Sequence, residues 1–214
     1  SLYAGCFGEG VFKSINNGAT WTPANVGIAT EAVVNLLKTP SYIFAGTVGN
    51  GLFKSNNNGA TWTDANGGAL NSSYIKAMVY QDGRLMVEAD NLIFHSYDNG
   101  NTWDLDTEAP PQYYQIWSFY QKGDTILATS FFNVFRSVNG GITWSEPTTL
   151  DHTIVNFDRV GNTLYGGTAQ GLYTSTNWGE SWTFINPSNF REGATSFIIG
   201  GNNFLIGREE IGIT

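Results

Sequence analysis

Short apolar runs alternate along this chain with clusters of Asn, Asp, Gly and Ser, and the two recur together at a fixed interval. The runs Gly10-Val11-Phe12-Lys13, Gly51-Leu52-Phe53-Lys54, Leu92-Ile93-Phe94-His95, Val134-Phe135-Arg136 and Gly171-Leu172-Tyr173-Thr174 each lead into a stretch that opens on Ser and closes on Trp. Those stretches are residues 14–21, 55–62, 96–103, 137–144 and, more loosely, 175–182. Their closing residues, Trp21, Trp62, Trp103, Trp144 and Trp182, stand 41, 41, 41 and 38 residues apart. A period of about 40 residues signals one supersecondary unit repeated along the chain.

Aligning the repeats predicts four extended runs in each. In one period these are 74–80, a tight turn at Gln81-Asp82-Gly83, then 84–89, 92–96 and 103–106. The next period repeats the pattern with 114–120, a turn at Lys122-Gly123-Asp124, then 125–129, 134–137 and a run from Trp144 onward. Aromatic and β-branched residues flanking an Asn/Asp/Gly cluster read as β-hairpins, and no helical periodicity appears anywhere. No interdomain linker is visible, so residues 1–214 read as a single domain. Residues 1–5 align with a second strand, and 195–199, 204–207 and 211–214 with a first strand, a second strand and part of a third. The repeat is thus cut mid-unit at both ends, as in a segment of a larger assembly. A self-sufficient five-unit ring with a trailing segment is the alternative.

Within each repeated stretch the third position is a short polar residue: Asn16, Asn57, Asp98, Asn139 or Asn177. Such a side chain accepts hydrogen bonds from the N–H groups of its own turn. The fifth position is always glycine (Gly18, Gly59, Gly100, Gly141, Gly179), which tolerates positive φ. The closing tryptophan offers a large face for burial, each worth about 4–6 kcal/mol gross as an upper estimate. These stretches read as hairpin staples, with no chemistry of their own.

The pattern Ser-x-Asp-x-Gly-x-Thr-Trp resembles the Asp-box, or BNR, repeat. This chain departs from it by placing Asn at four of the five Asp positions, and Trp178 and Ser181 make the last copy irregular. The resemblance implies an all-β fold, a β-propeller of four-stranded blades. Asp-box families include sialidases, xyloglucanases, sortilin-type receptors and photosystem II assembly factors. The runs Gly51-Leu52-Phe53-Lys54-Ser55 through Trp62 are most similar to secreted multi-repeat proteins, implying a secreted or cell-surface bacterial location. In these families the box is structural and lies away from the binding face, so it identifies a fold more than a function.

Composition narrows the partners. A net charge of −8 and a pI near 4.6 argue against nucleic acid or an anionic membrane. No apolar run has the length of a membrane span, and no signal peptide is present. Cys6 is alone and reads as a small packing residue. No cofactor motif or metal-ligand set is visible. His95 takes the slot held elsewhere by Lys13, Lys54 and Arg136, which marks it as a strand residue rather than a ligand.

On the propeller reading, the boxes share a face with the strand one-to-two turns, and ligands gather at the opposite face. Asp82, Asp98, Asp124, Asp158 and Glu180 go to the box face; Glu9, Glu31, Glu88, Asp90, Glu108, Asp151, Glu209 and Glu210 go to the other. These acids read as a solvated rim or as a site for a cation or hydroxyl-rich ligand. A sialidase site needs three converging arginines. Arg84, Arg136 and Arg159 fall on or beside the box face, leaving only Arg191 and Arg208, so a complete sialidase site is excluded. A xyloglucanase-like pair of carboxylates, such as Asp90 and Asp151, has no local context to mark it out. Two adjacent aromatics at Phe131-Phe132, beside Asn133, cannot both hide on an alternating strand. Tyr113, Tyr114 and Trp117 lie at a nearby entry. The expected ligand residues are therefore Phe131, Phe132, Asn133, Tyr113, Tyr114, Trp117, Glu88, Asp90 and Arg208; plugging the ring's centre or packing between blades is the structural alternative for the aromatics. The expected function is non-catalytic binding of glycan or protein. A glycoside hydrolase with an incomplete site, or a protein-assembly factor, are the alternatives.

Overall fold

The computed structural model describes residues 1–28, 32–71, 73–111, 114–185, 194–200 and 203–208, the last two segments as backbone. It divides into two compact units, Ser1–Tyr113 and Tyr114–Thr214. In the first, β1 (Leu2–Cys6), β2 (Gly10–Ser14) and β3 (Thr22–Pro23) form a three-stranded sheet. Two four-stranded sheets follow. One comprises β4 (Val33–Lys38), β5 (Ile43–Thr47), β6 (Leu52–Ser55) and β7 (Thr63–Asp64). The other comprises β8 (Ile75–Gln81), β9 (Arg84–Ala89), β10 (Leu92–Ser96) and β11 (Asp104–Leu105).

The second unit repeats the plan. Its four-stranded sheets are β12 (Ser118–Lys122) to β15 (Thr148–Thr149), with β13 (Thr125–Thr129) and β14 (Asn133–Ser137) between, and β16 (Asn156–Val160) to β19 (Thr183–Ile185), with β17 (Thr163–Gly167) and β18 (Leu172–Ser175) between. A two-stranded sheet, β20 (Ala194–Gly200) and β21 (Asn203–Arg208), ends the described chain. Every pairing is antiparallel between sequence neighbours. The strands expected at 84–89, 92–96 and 125–129 have those bounds. By contrast, β12 begins at Ser118 rather than at Tyr114, because Gln115 takes a positive φ of 40° and breaks the extended run. Residues 211–214 lie outside the described residues.

The second strands carry the core. All of β5 and all of β9 are buried. Successive side chains of a strand point to opposite faces, and both faces of β5 are apolar. Phe44 packs with Leu52, Ile75, Leu85 and Trp103, while Ile43 and Ala45 pack with Val11, Val33 and Trp62. The middle sheet is thus covered on both sides. Gly46 permits the close approach: a Cβ there would lie 2.8 Å from Ile75 Cγ2.

Each box closes as the sequence implies. In the second copy Ser55 Oγ donates to Asn57 Oδ1 (2.9 Å) and accepts Gly59 N–H (2.9 Å), while Thr61 N–H donates to Asn57 Oδ1 (2.9 Å). Asn57 Nδ2 donates to Thr61 Oγ1 (2.8 Å). In the one Asp copy the hydroxyl reverses, and Thr102 Oγ1 donates to Asp98 Oδ2 (2.7 Å). The irregular last copy makes the same bonds through Ser181. The box glycines all have positive φ, and so does the residue before each: Asn17, Asn58, Asn99, Gly140 and Trp178.

The tryptophans do not share one environment. Trp62 and Trp103 are 3% and 8% exposed, but Trp21 is 41% exposed, contrary to the expectation of a buried face at every box. The buried indoles reach the preceding sheet, donating to Ala24 O and Ala65 O at 2.8 Å. Those of Trp21 and Trp144 turn back onto Gly18 O and Gly141 O of their own boxes, each at 3.1 Å. Burial here comes from the neighbouring sheet, which a local motif does not contain.

Candidate binding site

The hairpin between β13 and β14 is closed by reciprocal backbone bonds between Ser130 and Asn133, leaving Phe131 and Phe132 as its two-residue tip. They are 49% and 50% exposed. Trp117, 44% exposed, stands edge-on to Phe131 with ring centroids 5.4 Å apart and planes at 78°. Its backbone N–H donates to Thr129 O, which ties the strand entry to the tip. Asn133 Oδ1 accepts the Thr149 hydroxyl at 3.0 Å, placing an amide beside the aromatics. Two large rings left part-exposed on a two-residue turn, with a third beside them, form a ready contact surface, since aromatic faces contribute most when a partner completes their burial.

Tyr114 does not join that surface. It packs edge-on against buried Phe135 at 4.7 Å, and its carbonyl accepts the Ser130 hydroxyl. Tyr113 and the Arg208 side chain lie outside the described residues.

Glu88 and Asp90 belong to the other unit, around the two-residue turn Asp90-Asn91 between β9 and β10. Both turn residues have positive φ, 52° and 70°. Asp90 Oδ1 accepts Tyr74 N–H at 3.1 Å, holding the turn to the start of β8. Glu88 is 1% exposed, so it is no part of a solvated rim. Its Oε1 accepts Asn91 N–H at 2.9 Å and lies 3.5 Å from Lys76 Nζ. Lys76 sits at a β-bulge between Ile75 and Ala77, and a bulge re-aims its side chain. Its ammonium also donates to Asn91 Oδ1 at 2.6 Å. Burial pushes the Glu88 carboxyl up to about 7, against the opposing pull of Lys76 and the Asn91 N–H. The pair anchors a turn. Lys76 was missed in the sequence, although a lysine inside Ile75-Lys76-Ala77-Met78-Val79 required a carboxylate partner.

A second recurrent feature also went unread. After the last strand of each of the first two sheets stands Ala-Asn, and Asn25 Oδ1 and Asn66 Oδ1 accept the N–H of Val11 and Leu52 at 2.7 and 2.6 Å. In the third sheet the alanine's place is taken by Asp106, whose N–H donates to Ile93 O as those of Ala24 and Ala65 do to Val11 O and Leu52 O; its carboxylate pairs with Arg84 at 2.5 Å and lies 3.7 Å from His95 Nδ1. Arg84 is thus committed internally. Among the described residues no group of three or more His, Cys, Asp or Glu is arranged to hold a metal.

No family model matches the chain, and no curated protein matches it by sequence. Solved β-propeller structures do. An ancestral GH74 enzyme superposes with a TM-score of 0.76 at 18% identity, over 97% of this chain and 33% of the enzyme. The extracellular domain of BT4673 from B. thetaiotaomicron gives 0.72 at 15%, over 97% and 30%. YCF48 bound to D1 peptide gives 0.58 at 11%, over 80% and 65%. The chain therefore spans about a third of the first two proteins' length. At these identities the likeness is one of fold: antiparallel four-stranded sheets of the kind that serve as propeller blades.

Proposed function

We propose that this chain is part of an Asp-box β-propeller acting outside the cell or at its surface as a non-catalytic binding module. Carbohydrate is its ligand class, taken on the tip formed by Trp117, Phe131 and Phe132. The observation that carries the reading is the part-exposed pair of phenylalanines on a two-residue turn with Trp117 edge-on beside them. Aromatic faces suit the C–H faces of a sugar ring, and the neighbouring Asn133 and Thr149 supply polar atoms for its hydroxyls. The surface location draws on neighbours described as extracellular domains and as a bacterial surface component.

A protein ligand is the second reading, favoured by the neighbour bound to a peptide. Hydrolysis has less support, because Asp90, one of the two carboxylates considered for it, is engaged with the Tyr74 N–H. The test is a glycan array on the purified chain beside a Phe131→Ala/Phe132→Ala variant. Specific hits lost in the variant support the proposal. No hits from folded protein remove the sugar reading and direct the search to peptides.

A further inference from the structure

The sequence contains six Asn-Gly pairs: Asn17-Gly18, Asn50-Gly51, Asn58-Gly59, Asn66-Gly67, Asn99-Gly100 and Asn139-Gly140. In an unfolded chain this dipeptide is the one most prone to deamidation. The glycine backbone nitrogen loses its proton and attacks the asparagine Cγ. A C–N bond forms, the Cγ–Nδ2 bond breaks, and ammonia leaves. Water then opens the succinimide to aspartate or isoaspartate, with no redox change. The glycine nitrogen must be free to lose its proton and turn toward Cγ, and the asparagine amide must be free to meet it.

The fold blocks one or the other at all six. Gly18, Gly59 and Gly100 donate their N–H to the box serines Ser14, Ser55 and Ser96 at 2.8, 2.9 and 2.9 Å. Gly51 N–H donates to Ser73 O at 3.0 Å and Gly140 N–H to Asp124 O at 2.8 Å. Asn66 is instead held by its side chain: Oδ1 accepts Leu52 N–H, and Nδ2 donates to Asp64 Oδ2 and Asn50 O. We propose that the box serine is a chemical guard as well as a turn staple, so that Asn17, Asn58 and Asn99 become modification sites when their boxes open. Isoaspartate at each position then records the opening of that box.

The test compares the purified chain with Ser55→Ala, Ser55→Thr and Thr61→Val variants, and with a synthetic peptide spanning residues 52–63. All are aged at neutral pH and mapped for aspartate and isoaspartate by mass spectrometry. The guard predicts slow conversion of Asn58 in the parent chain and fast conversion in the peptide. It predicts a rise of about tenfold at Asn58 alone in Ser55→Ala, the rate equivalent of one hydrogen bond lost. Ser55→Thr keeps the hydroxyl and stays slow. Thr61→Val loosens the same turn but leaves the Ser55–Gly59 bond, so it stays within about twofold of the parent. Equal rates in the parent and Ser55→Ala, or equal acceleration by Thr61→Val, overturn the proposal. If Ser55→Ala unfolds and every pair accelerates, Ser55→Thr decides: acceleration there also overturns it.

Discussion

Lys54 Nζ lies 2.9 Å from the carbonyl oxygen of Asn99, joining the end of β6 to the box turn of the next sheet. The same ammonium donates to Asn101 Oδ1 at 2.7 Å. The tie recurs: Lys13 Nζ donates to Asn58 O at 2.9 Å, and Arg136 Nε to Trp178 O at 2.9 Å. In each case a cation one residue before a box grips the fourth residue of the next box. That fourth residue has positive φ in all three cases. Trp178, an unusual occupant for such a conformation, gains a second hold from Lys122, whose ammonium lies 3.9 Å from its ring centroid.

Burial holds the Lys54 ammonium below its usual range, partly offset by Asp98 and Asp64. Removing it as Lys54→Ala leaves two acceptors unmatched in a part-buried place. The expected loss is about 1.5–3 kcal/mol of unfolding free energy, measured by urea titration. Lys13→Ala, at an exposed tie, costs under about 1 kcal/mol.

Asp98 accepts bonds from Thr102 through both backbone and side chain, and these bonds hold its pKa down to about 2 from 3.8. A carboxylate with a depressed folded pKa contributes stability above its unfolded pKa and loses it as pH falls through the folded one. Melting temperature should therefore drop between pH 3.8 and about 2. Asp98→Asn should abolish that component while leaving stability near neutral pH close to the parent, because Asn already serves the other four boxes.

Glu88 runs the other way. Its pKa is raised from 4.5 to about 7, so the folded chain binds the extra proton across that interval. Stability should fall as pH rises from 4.5 to about 7 and then level off. Glu88→Gln should lack this slope. Denaturant midpoints collected across that range check it.

At Gly46 a methyl group would meet the Ile75 side chain at 2.8 and 2.9 Å and its carbonyl oxygen at 3.3 Å. Gly46→Ala should cost about 1–3 kcal/mol by overpacking. Combining it with Ile75→Ala should cost less than the two single changes summed, read by a double-mutant cycle of unfolding free energies.

Features that depend on neighbours along the chain were legible before any fold was known. The hairpin at Asp82-Gly83, the limits of β9, β10 and β13, the positive φ of every box glycine and the side-chain clamps within each box all follow from residues within a few positions of one another. The two-residue tip at Phe131-Phe132 was legible for the same reason: two adjacent rings cannot face one side of a strand. Burial was not legible in this way, because it depends on the strand or sheet that comes to lie alongside. The tertiary structure set which tryptophan is buried, Trp62 against Ala24 but Trp21 on its own turn. Glu88, an acid whose local context reads as rim, is buried beside the bulged Lys76 of the adjacent strand in its own sheet. Period and turn chemistry are local properties, whereas burial is a property of the face that a neighbouring sheet happens to cover.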